Sequence, residues 1–213
     1  MLRVEMIDVV LPEARLEHAA ALMQMHHDRK RVFVDRLQWS LPSPGSWLEV
    51  DDFDNEHAVY LLARSKLGHH QGSVRLLPTT GRHMLGSLFS SLCAGEVPVG
   101  EGIWEVSRLV TSPPQVAGTS ILKLHRLLAL ALLEFALLNG IRRYTLVAEP
   151  HRVPALLAVG WVVRPLGLPT RCMGQELQAL EILVDQQSFE ALRTRTRVAG
   201  SVLQYSGRTR NAA

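Results

Sequence analysis

The sequence predicts an α/β (α+β) fold in which one sheet carries helices on both faces. Three observations support this. Short stretches with strand character recur along the chain, separated by helical patterns and turn residues. One long apolar run, residues 121–138, reads as a central helix. The 213 residues contain no repeat and no dividing linker, and 47% apolar against 20% charged residues is ordinary globular composition. A layered domain around a single core is the expected outcome. It is expected to span residues 1–195, with 196–213 as a flexible tail that lacks a long apolar pattern.

Residues 3–11 read as the first strand. Pro12 and Glu13 then open a helical pattern in which Ala14, Leu16, Ala20, Met23 and His27 share one side. Arg29, Phe33 and Leu37 continue it at four-residue spacing. Pro42, Pro44 and Gly45 make 40–47 a loop. Residues 58–64 and 73–77 form strands joined by a turn, a hairpin pattern. A short helix is expected at 85–92 within an irregular stretch, followed by a strand at 103–110. The long helix 121–138 is stopped by Gly140. Strands at 144–148, 161–163 and 178–184 and helices at 154–159 and 186–193 complete the order.

Charge and cysteine content exclude several classes. A net charge of +3 over 213 residues is a weak field, with no basic block or helix-turn-helix pattern. No nucleic-acid partner is expected, and the arginines at 193, 195, 197, 208 and 210 read as a solvated surface. Two cysteines, Cys93 and Cys172, cannot build a disulfide framework or a four-ligand zinc site, which fits a reducing compartment. Lys123, His125, Arg126 and Glu134 interrupt the apolar run, so it is not a membrane span. The chain opens without an export signal. A cytoplasmic protein is expected.

Four segments could carry chemistry. Glu49, Asp51, Asp52 and Asp54 crowd one turn that lacks the glycine and terminal glutamate of a calcium loop. Asp52 reads as solvated. Asp51 and Asp54 flank Phe53, with Trp39 and Trp47 upstream, a grouping suited to a cation with an apolar body. Arg75, between Val74 and Leu76 in an inner strand, needs an anionic partner. In the strand Trp104-Glu105-Val106-Ser107-Arg108, Glu105 is a carboxylate that must be paired or working. Arg108 should leave the opposite face unless a bulge intervenes. Finally, the turn Gln115-Val116-Ala117-Gly118-Thr119-Ser120 precedes the long helix and offers backbone N–H groups to a phosphate. His125, Trp104 and Trp161 read more simply as core residues, and neither cysteine has a local basic motif.

In combination, Arg29-x-x-x-Phe33, Trp39, Glu49-x-Asp51-x-x-Asp54, Arg75-Leu-Leu-Pro-Thr-Thr and Trp104-Glu105-x-Ser-Arg108 closely resemble the LuxI-type autoinducer synthases, over residues 10–184. The resemblance implies a three-layer αβα sandwich with a mixed central sheet, as in the GCN5-related N-acyltransferases. It implies synthesis of an N-acyl-L-homoserine lactone from S-adenosylmethionine and an acyl thioester, with release of 5'-methylthioadenosine. Arg29, Phe33, Trp39, Asp51, Asp54 and Arg75 are then the S-adenosylmethionine site. Glu105 is the base, with Asp51 its competitor, and Arg108 steadies the framework or polarises the acyl side. No metal and no tightly held cofactor are implied.

On the donor side the resemblance points to Gln115, Gly118, Thr119, Ala148 and Trp161. Ala148 stands where members that make 3-oxoacyl products carry Thr, and Val153-Pro154 replaces a Glu-Arg pair. The run 165–169 looks most like the subgroup that takes branched or aromatic acyl groups from coenzyme A. An acyl carrier protein is the alternative donor and partner. A coenzyme A-dependent acyltransferase of another amine, or a basic regulatory domain, are the rival functions. Release of methylthioadenosine separates the first rival, and salt-sensitive DNA binding the second.

Overall fold

The computed structural model describes residues 6–39, 47–112 and 121–205. The elements are β1 (Ile7–Val10), α1 (Ala19–Arg29), β2 (Val59–Arg64), β3 (His70–Pro78), α2 (Met84–Leu88), β4 (Ile103–Thr111), α3 (Ile121–Leu138), β5 (Arg143–Ala148), α4 (Val153–Val159), β6 (Val162–Pro165), β7 (Thr170–Cys172), β8 (Gln175–Leu183), α5 (Gln186–Thr196) and β9 (Leu203–Tyr205). Among the described residues the strands join in the order β6-β8-β5-β4-β3-β2-β1-β9, with β7 pairing β8. β4 with β5 and β1 with β9 are parallel, and the other pairs are antiparallel. The sheet is therefore mixed, as expected.

Strand alternation builds the two helical layers. Val9, Leu61, Val74, Leu76 and Val106 face α3 and α5, whose Leu128, Leu132, Phe189 and Leu192 complete the main core. Val10, Tyr60, Leu62 and Leu77 face the other way, onto Ala21 and Met25 of α1. α2 covers the far end of this second face through Leu85, against Leu177 and Ala179 of β8. The three-layer αβα arrangement follows. α3 has the expected bounds and ends ahead of Gly140, whose φ of +67° provides the left-handed stop. Among the described residues, no helix is long and apolar enough to cross a membrane.

Three expectations are corrected. The first helix begins at Ala19 after a 3-10 turn at Pro12–Ala14, and its buried side is not the apolar one read from the sequence. Leu16 is 90% exposed and Met23 48%, whereas Ala21, Met25, Asp28 and Arg29 are buried. The two charged residues turn inward because His70 of β3 supplies a partner for Asp28 and the turn carrying Glu49 and Asp54 supplies partners for Arg29, an effect invisible to an apolar count. A π-helical stretch, Lys30–Arg36, extends α1 and keeps Val32 and Phe33 inward. The expected helix at 85–92 splits into α2 and a separate 3-10 turn, Ser90–Leu92. The tail expected from residue 196 instead continues in ordered structure to Tyr205: Arg197 caps α5 in the left-handed conformation, Val202 is fully buried, and β9 pairs with β1. The first strand was open on that edge, so a short parallel strand satisfies backbone groups there.

Candidate active site

The second face of the sheet carries an interlocked cluster of three arginines and three carboxylates. Arg29, at the end of α1, donates through both terminal nitrogens to the two oxygens of Asp54, at 2.8 and 2.9 Å, and through Nε to Glu49. Arg75 of β3 donates to both oxygens of Asp51, at 2.5 and 3.2 Å, to Asp54 at 2.9 Å and to Ser107 Oγ at 3.1 Å. Arg108 of β4 donates to Glu49 at 3.1 Å and to Asp51 at 2.6 Å. Tyr60 of β2 donates its hydroxyl to Asp54 at 2.8 Å. Arg29 and Arg75 are fully buried and Arg108 is 8% exposed. Three guanidiniums against three carboxylates leave the cluster neutral, which is what lets it exist away from water.

Strand register brings these groups together. Tyr60 lies opposite Arg75, and Arg75 opposite Ser107. Between Ser73 paired with Val110 and Arg75 paired with Ser107, the single residue Val74 of β3 faces two of β4, Arg108 and Leu109. Arg108 adopts a φ of +52° at this point. The bulge turns Arg108 onto the face of Ser107 and Glu105, which corrects the simple alternation that placed it on the other side. The turn carrying the carboxylates is held by Asp51 N–H donating to Asp54 and Phe53 N–H donating to Asp51, each at 2.9 Å.

The charges respond as this packing dictates. Burial disfavours ionised Asp54, yet the Arg29 and Arg75 guanidiniums hold its carboxyl well below the usual range. Burial likewise opposes the charge on Arg29, but Asp54 and Glu49 keep it more firmly protonated than a free arginine. Burial and then Asp54 push the Tyr60 hydroxyl up, so it stays a donor. Phe33 lies under Arg108, 5.5 Å from ring centre to guanidinium carbon, and Trp39 stacks on Phe33 with centroids 4.8 Å apart.

Glu105 occupies a different setting. Its carboxylate accepts the Met84 N–H at 3.0 Å and the Leu85 N–H at 2.6 Å, so it caps the first turn of α2. Burial raises its pKa, and those two backbone donors, His83 and Arg75 only partly offset the rise. The Met84 thioether lies between it and the cluster, with Sδ 3.2 Å from Arg75 and 3.8 Å from Arg108. Beside Glu105 the sheet opens. β4 pairs with β5 only over Ile103, Trp104 and Glu105, opposite Arg143, Tyr144 and Thr145, while the rest of β4 runs on without that neighbour.

Arg29, Asp51, Asp54, Arg75 and Arg108 thus meet in one cluster, walled by Phe33 and Trp39, with Glu105 at its edge. Ala148 is half-buried at the end of β5 and Trp161 is buried, both against the main core on the α3 side. Gln115, Gly118 and Thr119 lie outside the described residues. Trp47 does not join the aromatic residues beside the cluster: it is 60% exposed and stands against His27, with ring centroids 6.0 Å apart. Asp52 is exposed as expected, with Arg82 at 3.3 Å. Glu49, Tyr60, Met84 and Ser107 received no site role from the sequence. The Glu-x-Asp-x-x-Asp spacing pointed to Glu49 and strand alternation to Tyr60, whereas nothing local marked Met84.

Comparison with known proteins places residues 13–192 in a family described as autoinducer synthase. An acyl-homoserine-lactone synthase of Pseudomonas fluorescens is 39% identical over 109 residues, 47% of this chain and 56% of the relative, so that match spans about half of its length. An isovaleryl-homoserine lactone synthase of Bradyrhizobium diazoefficiens is 31% identical over 86% of this chain and 80% of its own. The coenzyme A-dependent acyl-homoserine lactone synthase BjaI, solved with S-adenosylmethionine and isopentyl-CoA, superposes with a TM-score of 0.86 at 30% identity, covering 96% of this chain and 94% of that one. An N-acetyltransferase of Lactobacillus plantarum, at 14% identity and a TM-score of 0.56, shares the fold alone.

Proposed function

From a chain that belongs to the autoinducer synthase family, and is thereby an acyltransferase-type enzyme, we infer that this protein makes an N-acyl-L-homoserine lactone from S-adenosylmethionine and an acyl-coenzyme A, releasing 5'-methylthioadenosine. The observation that carries the reading is the buried Arg29–Glu49–Asp51–Asp54–Arg75–Arg108 cluster beside the point where β4 and β5 part. S-adenosylmethionine carries an ammonium, a sulfonium and a carboxylate, and a neutral cluster with both signs close to its surface matches that pattern. Phe33 and Trp39 supply an aromatic wall for the adenosyl group.

The amine must lose a proton before it can attack, because an alkylammonium is almost wholly protonated at neutral pH. Glu105 takes that proton, its affinity for it increased by burial. The amine nitrogen adds to the thioester carbonyl, and the oxyanion is met by backbone N–H groups of β4 beyond Glu105, where no β5 partner occupies that edge. The thiolate leaves as the amide forms. The carboxylate of the acylated intermediate then attacks its own γ-carbon and the C–S bond to the sulfonium breaks, which closes the lactone and frees methylthioadenosine. This step is intramolecular, so holding the chain bent supplies much of the catalysis.

A short branched or aromatic acyl group is the proposed cargo. Ala148 offers no hydroxyl to a 3-oxo group, and the Bradyrhizobium relative is an isovaleryl-homoserine lactone synthase. The test is incubation of purified protein with S-adenosylmethionine and isovaleryl, aryl and straight-chain acyl groups, each on coenzyme A and on acyl carrier protein. Mass spectrometry should find methylthioadenosine and a lactone. Absence of both from folded protein would end the reading. A tenfold preference in kcat/KM for carrier-protein delivery or for a 3-oxo chain would overturn the donor and cargo alone.

A further inference from the structure

At the start of α2, immediately before the two residues that Glu105 caps, stands a second buried base whose outer ring nitrogen has no hydrogen-bond partner among the described residues. His83 is 5% exposed. Its Nδ1 lies 2.9 Å from the Gly81 carbonyl oxygen, which can only accept, so Nδ1 carries the ring proton. The lone pair is therefore on Nε2. That atom is buried and has no hydrogen-bond partner among the described residues. The ring lies over Gly86: a methyl group there would approach Nε2 and Cε1 to 2.8 Å, so glycine leaves the space the imidazole fills. A buried acceptor without a donor destabilises the fold, and its retention asks for a use.

Glu105 has a complementary difficulty. Both of its oxygens already accept backbone N–H groups, from Met84 and Leu85. Once protonated, it would hold its new hydrogen beside donors that need acceptors. A proton taken from the substrate should therefore move on. The charged groups facing this corner are Glu105 and Arg108 from β4 and Arg75 from β3, with Asp51 behind the arginines; Arg82, next in sequence, points outward to Asp52. None of them is bonded to Nε2, and His83 directly precedes Met84, whose backbone N–H donates to the Glu105 carboxylate.

We propose that His83 is the proton acceptor behind Glu105: the proton removed from the S-adenosylmethionine ammonium passes through Glu105, across one bridging water, to His83 Nε2. One amine N–H bond breaks and an Nε2–H bond forms, with Glu105 returned to its carboxylate. The imidazolium later returns its proton through the same water and Glu105 to the departing thiolate, and the second amine proton leaves to solvent as the amide forms. His83 acts through Glu105 and does not touch substrate, so it is a positioning residue of the proton path. The inference rests on the lactone-synthase reading above.

The test compares wild type with His83→Asn, which keeps a donor for the Gly81 carbonyl, and His83→Gln, which puts an amide near the position of Nε2. Thiol release and lactone formation are followed from pH 6 to pH 9.5. Both variants should melt cooperatively and keep the KM for S-adenosylmethionine within about threefold. Their kcat near pH 7 should fall on the order of tenfold to a hundredfold, with the loss shrinking at high pH as the amine deprotonates without help. Wild-type kcat and an unchanged pH profile in the folded variants would overturn the proposal, as would a loss confined to KM. If neither variant folds, His83 is a structural cap and the proposal also falls. Wild-type protein that makes no lactone under these conditions would instead refute the functional reading.

Discussion

Replacing Asp54 with asparagine keeps the shape of the side chain and removes one charge from the centre of the cluster. Asp54 accepts five hydrogen bonds: two from Arg29, at 2.8 and 2.9 Å, one from Arg75 at 2.9 Å, one from Tyr60 at 2.8 Å and one from the Asp51 N–H at 2.9 Å. Each oxygen takes at least two of them, so an amide nitrogen in either position faces donors. Three guanidiniums would then oppose two carboxylates, in a site where the Asp54 side chain is only 3% exposed. Breaking one partner out of a buried pair costs about 3–5 kcal/mol. For a chain of this size that corresponds to a fall in Tm of roughly 6–20 °C. Urea unfolding of wild type, Asp54→Asn, Arg29→Met and the double variant measures it, and the double variant should lose less than the sum of the singles. The pH dependence has a fixed sign. The folded-state pKa of Asp54 is depressed, so its stabilisation is complete above the ordinary carboxylate range and is lost as pH falls through the folded value. The gap between wild type and Asp54→Asn should be constant from pH 5 to pH 7 and narrow below about pH 4. A loss under about 1 kcal/mol, or a gap that persists unchanged at low pH, would refute the reasoning.

Tyr60→Phe removes one bond to the same carboxylate and should cost about 1.5–3 kcal/mol by urea unfolding, with little change in fold by circular dichroism. Glu105→Gln should remain folded and lose on the order of 10²–10⁴ in the rate of thiol release. Because the folded-state pKa of Glu105 is raised, wild-type stability relative to that variant should fall as pH rises above the usual glutamate value, read from urea melts between pH 4 and pH 9. Gly167→Ala would set a methyl group 2.2 Å from the Leu92 carbonyl oxygen and 3.1 Å from the Ala94 nitrogen, where the chains are joined by the Ala94 N–H to Leu166 bond. Such a backbone clash should cost about 1–3 kcal/mol in thermal or urea melts.

By itself the sequence determined the fold class, the bounds of the long helix and most members of the charged cluster. Ile121–Leu138 was readable because eighteen residues of one period, stopped by a glycine, leave little room for another structure. The charged motifs were readable because an arginine inside an apolar strand must have a partner, and the acidic turn was the obvious supply. Tertiary structure alone decided which of these groups meet. Arg108 joins the cluster through a bulge that alternation does not foresee. Glu105 binds two amide groups at the start of a five-residue helix, 20 and 21 positions away in the chain, and that pairing depends on how α2 lies over β4. The first helix buries Asp28 and Arg29 and exposes Met23, as the turn before it exposes Leu16, against the apolar pattern, because partners from β3 and the acidic turn offset the burial of charge. Local periodicity records how a segment divides between oil and water; it holds no record of a partner that arrives from elsewhere in the chain.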